Sequence, residues 1–379
     1  MNSKEFYTKK EIEGQPKLWQ QVFELLISRQ KEIKEFLVPI LEIPDLHIIL
    51  SGAGSSSFVG DAAQGLVQNY TGCATSAIAT TDIVTHPQLY LPKNKPILLV
   101  SIARSGNSPE SVETIALVNG FCKNVYHLII TCNSKGELAR YGCENPNDAC
   151  AILLPEEAND QSLAMTGSFT SMLLSLLLVF RKEHFEKAKA EIEKIMEQAN
   201  LILDHWDSFK MMATREFNRV VFLGSGTMLG IAKECHLKLQ ELSDGAVICK
   251  YDSFLGFRHG PRAITNTKTL MVYLFSPMEH VYKYELDLAK NIAEDPRNIT
   301  CISIGRKREE GLSPCFNLNL NFGKCEELNI IPAALVGQIL GYYKSLALGL
   351  NPDEPSKSGT ISRVVEGVTI YDHPKYLSV

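Results

Sequence analysis

Residues 230–245 read GIAKECHLKLQELSDG. On a helix, Glu234, Lys238 and Glu241 fall at i, i+4 and i+7, on one face. Such a face is either a solvated charge stripe or a set of groups that can hold and move a proton. A loop, FLGFRHGPRAI at 254–264, follows. Glycines flank His259 there, a proline lies beyond, and such a loop can hold a side chain out into a cleft. An imidazole titrates near neutral pH, which suits acid–base work, although a surface loop histidine has the same local pattern. A third stretch, SIARSGNSPES at 101–111, follows the apolar run ILLV. Gly106 allows a tight turn, Ser108 is placed to cap the next helix, and Pro109 suits its first position. The free N–H groups at that helix start favour an anion. Ser105, Asn107 and Ser108 add donors, and Arg104 adds a charge if it turns inward.

A second loop of the same kind, SGAGSSS at 51–57, brings Gly54 and three hydroxyls, on Ser55, Ser56 and Ser57. That exceeds what one helix cap needs. A dinucleotide-binding turn would require G-x-G-x-x-G with an acidic residue at the next strand end. Here position 57 holds serine, the next glycine is Gly60 and no such acid is evident, so a small phosphate fits better than a nucleotide.

These residues need a scaffold that puts loops at strand ends. Apolar runs alternate with amphipathic segments throughout, the pattern of a parallel sheet covered by helices. The pattern occurs twice. HIILSGAGSSSFVG at 47–60 matches VVFLGSGTMLG at 220–230, with Gly54 and Gly226 standing 172 residues apart. Nearly the same offset relates the runs at 97–111 and 269–283, 126–133 and 298–306, and 149–155 and 315–321. Each copy then predicts a long apolar helix, at about 162–180 and 331–349. The expected organisation is an N-terminal helical arm over 1–44, α/β domains at 45–180 and 215–350, a connecting helix at 181–214 and a tail at 351–379. Residues 16–37 read as one amphipathic helix. The second copy has FSPMEHV where the first has the serine-rich loop, so one phosphate site per chain is expected, in the first domain.

A net charge of −5 over 379 residues argues against non-specific nucleic-acid binding. The longest apolar stretch, MLLSLLLVF at 172–180, is too short to span a membrane. The ten cysteines form no C-x-x-C pair, which argues against zinc and thioredoxin-like chemistry. Reduced, buried thiols and a cytoplasmic location are expected, with no metal and no organic cofactor.

RSGNSPES (104–111) resembles the phosphate loop of sugar isomerase (SIS) domain proteins. Two such domains in tandem also make up the isomerase half of glucosamine-6-phosphate synthase. TKKEIEGQPKLW (8–19), LAMTGSFTSM (163–172), GFRHGP (256–261) and SGTISRVV (358–365) narrow the resemblance to the tagatose-6-phosphate ketose/aldose isomerase family, also described as galactosamine-6-phosphate deaminase/isomerase. The implied fold is two tandem SIS domains of the α/β class, each a flavodoxin-like three-layer αβα unit. The resemblance implies phosphate or sugar contacts at Gly54, Ser55, Ser56, Ser105, Asn107, Ser108 and Thr166. Ala103 replaces a serine of the synthase, Met165 a polar residue, and Arg104 a glutamine, which points to a stronger phosphate partner. Glu241 matches the synthase's proton-shuttling base, and Glu234 and Lys238 match neighbours that orient it and the substrate. The residue matching His259 enters the synthase site from the other subunit, so a homodimer or higher homo-oligomer is implied. Lys357 falls where the synthase places an active-site lysine. His236 and His86 read as structural. The implied reaction converts galactosamine 6-phosphate to tagatose 6-phosphate and ammonia by moving a proton between C2 and C1. Aldose–ketose isomerisation without deamination and a non-catalytic phosphosugar-binding regulator remain the alternatives.

Overall fold

The structure, a computed structural model, describes residues 5–320, 327–365, 367–371 and 373. Asn321, the last residue of the repeat segment 315–321, and the end of the tail lie outside them.

The repeat is the architecture. The first half carries β1 (His47–Ser51), β2 (Ala74–Ala77), β3 (Ile97–Ala103), β4 (Val125–Thr131) and β5 (Ala149–Leu153). The second carries β6 (Arg219–Leu223), β7 (Ile248–Asp252), β8 (Thr269–Leu274), β9 (Thr300–Ile304) and β10 (Phe316–Leu318). Each set forms one five-stranded sheet, ordered β2-β1-β3-β4-β5 and β7-β6-β8-β9-β10, the same topology twice. Every strand pair is parallel. Parallel sheets need cover on both faces, which is why β3 and β8 are mostly apolar and buried throughout. In each sheet the order reverses between strands one and three, the switch point at which such folds leave a crevice for ligands.

Several helix expectations need correction. The arm is two helices, Tyr7–Ser28 and Gln30–Leu41. Arg29 leaves helical geometry between them (φ −104°, ψ 6°), and its guanidinium reaches Glu32 and, at 2.7 Å, the Ala151 carbonyl. The connector is a short 3-10 turn, Phe185–Ala188, then helices Lys189–Leu203 and Trp206–Ala213. Ile192, Ile195, Ala199 and Ile202 are buried as their spacing implied, whereas Trp206 opens the second helix. The two apolar helices begin later than expected, at Gly167–Val179 and Ala334–Ala347, the latter after a 3-10 turn. Cys143 and Cys315 are exposed rather than buried. Among the described residues no helix is long and apolar enough to cross a membrane.

The halves meet through equivalent helices. Ser55–Thr71 and Thr227–Leu242, each following its copy's first glycine turn, pack on each other. A Cβ added to Gly230 would lie 2.4 Å from the Ala62 backbone nitrogen. One Cβ on Gly337 would come within 2.4 Å of the Cys235 Cα, where the Ala334–Ala347 helix crosses the other side. Lys233 ion-pairs with Asp61 at 2.8 Å across the contact, and one contiguous hydrophobic core runs through both halves. Thr227–Leu242 is therefore clamped on two sides by backbone-to-backbone approach. We predict that Gly230→Val costs about 1–3 kcal/mol in urea unfolding, because the overlap is with backbone and no rotamer relieves it. Gly65→Ala, in the Ser55–Thr71 helix with nothing near its added Cβ, should instead gain about 0.5–1 kcal/mol.

Candidate active site

At the carboxyl ends of β1 and β3 lies a cavity of about 320 Å³, at the lower end of the range for small-molecule sites. Five segments wall it, one of them carrying Leu163 and Met165. One is the first glycine turn, Gly54 to Ser56, where Gly54 takes a positive φ of 56° and Ser55 opens the helix. Another is the serine-rich loop, with Arg104, Ser105, Ser108 and Ser111 on the cavity and Gly106 at φ 64°. The helix Thr227–Leu242 contributes Lys238 and Glu241. Tail residues 360–365 complete the wall. The cavity thus joins the serine loops of one half to the charged helix of the other.

The Glu–Lys–Glu face is not solvated. Lys238 is 1 % exposed, with its Nζ 2.6 Å from Glu241 Oε2 and 3.5 Å from Glu234 Oε1. Burial works to lower the Lys238 ammonium, yet Glu234 and Glu241 leave it above its ordinary value. Glu234 is wholly buried, and burial pushes its carboxyl up to about 7 against the pull of Lys238 and of the Ser55 hydroxyl. Glu241 alone of the three combines contact with the cavity and a partly exposed carboxylate. A carboxylate held by a fixed ammonium at a cavity wall can exchange a proton with a bound molecule. Of the opposite helix face, Ala232, Leu239 and Leu242 are buried and Leu229 is half-buried.

Gly54, Ser55, Ser56, Arg104, Ser105, Ser108, Lys238 and Glu241 share the cavity, and the other expected site residues do not line it. Asn107 is exposed, and its Oδ1 accepts the Glu137 N–H at 2.9 Å, so its amide braces the neighbouring strand-end loop. Thr166 is fully buried, and its hydroxyl donates to Asp160. Asp160 also accepts the N–H groups of Thr166, Gly167 and Ser168, capping the Gly167–Val179 helix from outside it. Thr166 therefore belongs to a helix cap. His259 is exposed on its loop and away from the cavity within this chain. Lys357 is exposed as well, held through its backbone N–H to Asp244 at 3.2 Å. Ser108 stands at the helix start without capping it; its hydroxyl donates to Ser111 at 2.6 Å. Arg104 is 7 % exposed, and its guanidinium donates to the carbonyls of Ser162, Leu163 and Arg363. It lines the cavity as a fixed charge tied to a neighbouring loop and the tail. His236 is structural as expected. It contacts the Tyr251 ring with centroids 4.7 Å apart, and burial pushes its imidazole down to about 4. His86 is exposed at a helix junction.

The sequence reading missed Ser111, Asp160 and Arg363. Arg363 donates to the Asp160 carbonyl and to Asn159 Oδ1, both at 2.7 Å, and so pins the tail over the cavity. The motif SGTISRVV marked this segment, but nothing local to it reveals partners some two hundred residues away.

Fold and cavity together define a tandem SIS-domain protein. The SIS domain family profile matches residues 43–182. D-galactosamine-6-phosphate deaminase AgaS of Shewanella sp. (strain ANA-3) is 38 % identical over 373 residues, covering 98 % of this chain and 93 % of the relative. The crystal structure of tagatose-6-phosphate ketose/aldose isomerase from Escherichia coli superposes with a TM-score of 0.87 at 33 % identity, covering 96 % of both chains. The C-terminal domain of glucosamine-fructose-6-phosphate aminotransferase from Francisella tularensis shares the fold at 19 % identity, with a TM-score of 0.75 and coverage of 92 % of this chain and 98 % of that one. The chain belongs to the D-galactosamine-6-phosphate deaminase AgaS family.

Glu234 yields a prediction with a definite sign. Its carboxyl titrates higher in the folded chain than in the unfolded one, so the folded state holds the extra proton. Its contribution is present below about pH 4.5 and is lost as pH rises towards about 7. Lys238 is raised above an already alkaline value and does not titrate in this window. Glu234→Gln should therefore unfold with a smaller loss of stability between pH 5 and pH 8 than the parent, as measured by urea titration at both. An unchanged pH dependence would contradict it.

Proposed function

We propose that this chain is an aminosugar-phosphate deaminase/isomerase that converts galactosamine 6-phosphate to tagatose 6-phosphate and ammonia. One observation carries the reading: Glu241 and the four serines Ser55, Ser56, Ser105 and Ser108 line a single cavity sized for a small molecule. The Shewanella relative's name supplies the sugar and the deamination.

In this reading the serine loops hold the phosphate, and Arg104 adds fixed positive charge beside it. Anchoring the phosphate end directs C1 and C2 of the open-chain sugar towards Glu241 and spares the reaction the cost of aligning them. Glu241 takes the C2 proton of the 2-amino aldehyde and returns it to C1. The C1 oxygen takes up a proton as the C2 amine gives one up, so the carbonyl becomes an alcohol and the amine an imine. Water adds to C2, ammonia leaves, and the ketose remains. Lys238 holds the Glu241 carboxylate in place through its 2.6 Å ion pair and so orients it towards the substrate. We assign ring opening to His259, delivered by a second copy of the chain, because its exposed loop lies away from the cavity of its own chain. The active enzyme is then at least a homodimer. The E. coli structure's name favours a second reading, isomerisation without ammonia release.

Ammonia and ketose assays with galactosamine 6-phosphate beside glucosamine 6-phosphate test the reading. We expect ammonia and tagatose 6-phosphate in equal amounts from the former. Ketose formation without ammonia would select the second reading. Glu241→Gln should lower kcat at least about a hundredfold while leaving substrate affinity nearly intact, and parent-like turnover would remove Glu241 from its role. Mixing inactive Glu241→Gln and His259→Asn proteins, dissociated and reassociated together, should restore part of the activity through hybrid dimers with one intact site. No recovery would place His259 outside the site.

A further inference from the structure

The N-terminal helix Tyr7–Ser28 touches the cavity wall through one polar face. Thr8, Glu11, Gln15 and Trp19, at i, i+3, i+7 and i+11, each bond a segment far away in the chain. The Thr8 N–H and hydroxyl both donate to Asp353 at 2.8 Å. Gln15 bonds Gln338 and Thr170, and Trp19 also bonds Thr170. Glu11 is the member aimed at the site. Its Oε1 accepts the N–H groups of Gln161, at 2.5 Å, and Ser162, at 3.2 Å, and its Oε2 accepts the Ser162 hydroxyl. In the same segment, the carbonyls of Ser162 and Leu163 receive Arg104 Nη1 at 3.4 and 3.1 Å. The Leu163 N–H is fixed in turn by the Asp353 carbonyl at 2.9 Å. Glu11 therefore holds the N–H groups and hydroxyl of the short loop whose carbonyls hold Arg104, and Arg104 and Leu163 both line the cavity.

We propose that Glu11 is a positioning residue for the anion end of the substrate, acting through the 161–163 segment to set where the Arg104 guanidinium stands in the cavity wall. This rests on the phosphosugar reading above. A loop whose N–H groups are held by a carboxylate presents its carbonyls in fixed positions. Without the clamp the loop relaxes, the guanidinium follows its carbonyls, and the positive charge moves relative to the serine hydroxyls. Glu11 bonds the 161–163 segment and not Glu241, so its effect is read first in binding. It also gives the N-terminal motif TKKEIEGQPKLW a role: its polar face joins the 160s loop, the tail and the helix Gly167–Val179 into one frame around the cavity.

The test compares Glu11→Ala and Glu11→Gln with the parent. Calorimetric binding of inorganic phosphate is measured alongside KM and kcat for galactosamine 6-phosphate and the thermal midpoint. We expect Glu11→Ala to weaken phosphate binding about fivefold or more and to raise KM in parallel, with kcat within about twofold of the parent. Glu11→Gln, whose amide oxygen still accepts the two backbone N–H groups, should recover most of the affinity. Unchanged phosphate affinity in Glu11→Ala overturns the proposal. So does a fall of kcat and affinity together in step with lost folded protein. Should Glu11→Ala not fold, Ser162→Ala, which removes only the hydroxyl contact, should weaken phosphate binding about twofold, and parent-like affinity there overturns the proposal equally. A parent protein that binds phosphate but releases no ammonia would defeat the proposed reaction and leave this inference standing.

Discussion

A lysine ammonium with almost no access to water must have carboxylates beside it, and Lys238 has two. Leaving a buried charge unpaired is strongly destabilising, so Glu234, Lys238 and Glu241 keep their arrangement only if the helix that carries them is held rigidly. The rest of the fold supplies that rigidity. Gly230 lets one neighbouring helix approach to backbone contact and Gly337 lets another do so. The Lys233–Asp61 ion pair ties the same helix to the first half. Between these contacts the helix turns one edge of its charged face to the cavity, and Glu241 stands on that edge.

The same clamp makes the site bipartite. The first copy of the repeat retains serine loops at its strand ends, and the second provides the helix with the acid–base groups. Neither half alone encloses the cavity. Pseudo-symmetric contact between equivalent helices of the two copies brings them together, so the duplication is the geometric basis of the site. The tail and the N-terminal helix finish the enclosure by bonds between segments far apart in the chain, from Thr8 to Asp353 and from Arg363 to Asp160.

How far the sequence was readable follows from that distinction. Periodic signals read well. The alternating pattern and the 172-residue offset foretold two matching sheets, and the i, i+4, i+7 spacing put Glu234, Lys238 and Glu241 together. Backbone requirements also read well, as at Gly54 and Gly106, which take positive φ where their loops turn. Residues whose partners are remote did not. Thr166 looked like a contact residue and is tied to Asp160. Asn107 turns to Glu137, and Arg104 spends its donors on carbonyls of a loop and the tail. In each case the fold supplies a partner that the sequence did not reveal, because no local pattern records a contact that only the tertiary fold creates. Helix boundaries failed for a related reason. Arg29 breaks the arm while its side chain reaches towards a strand that lies over a hundred residues away.

The central claim is that the serine loops hold a phosphate while Glu241 faces the carbons that exchange a proton. A crystal structure with a linear 2-amino-2-deoxyhexitol 6-phosphate, a stable mimic of the open-chain substrate, tests it most directly. The account predicts the phosphate among the hydroxyls of Ser55, Ser56, Ser105 and Ser108, with C1 and C2 about 3–3.5 Å from the Glu241 carboxylate. A phosphate bound elsewhere, or a sugar lying with C1 and C2 turned away from Glu241, would contradict it.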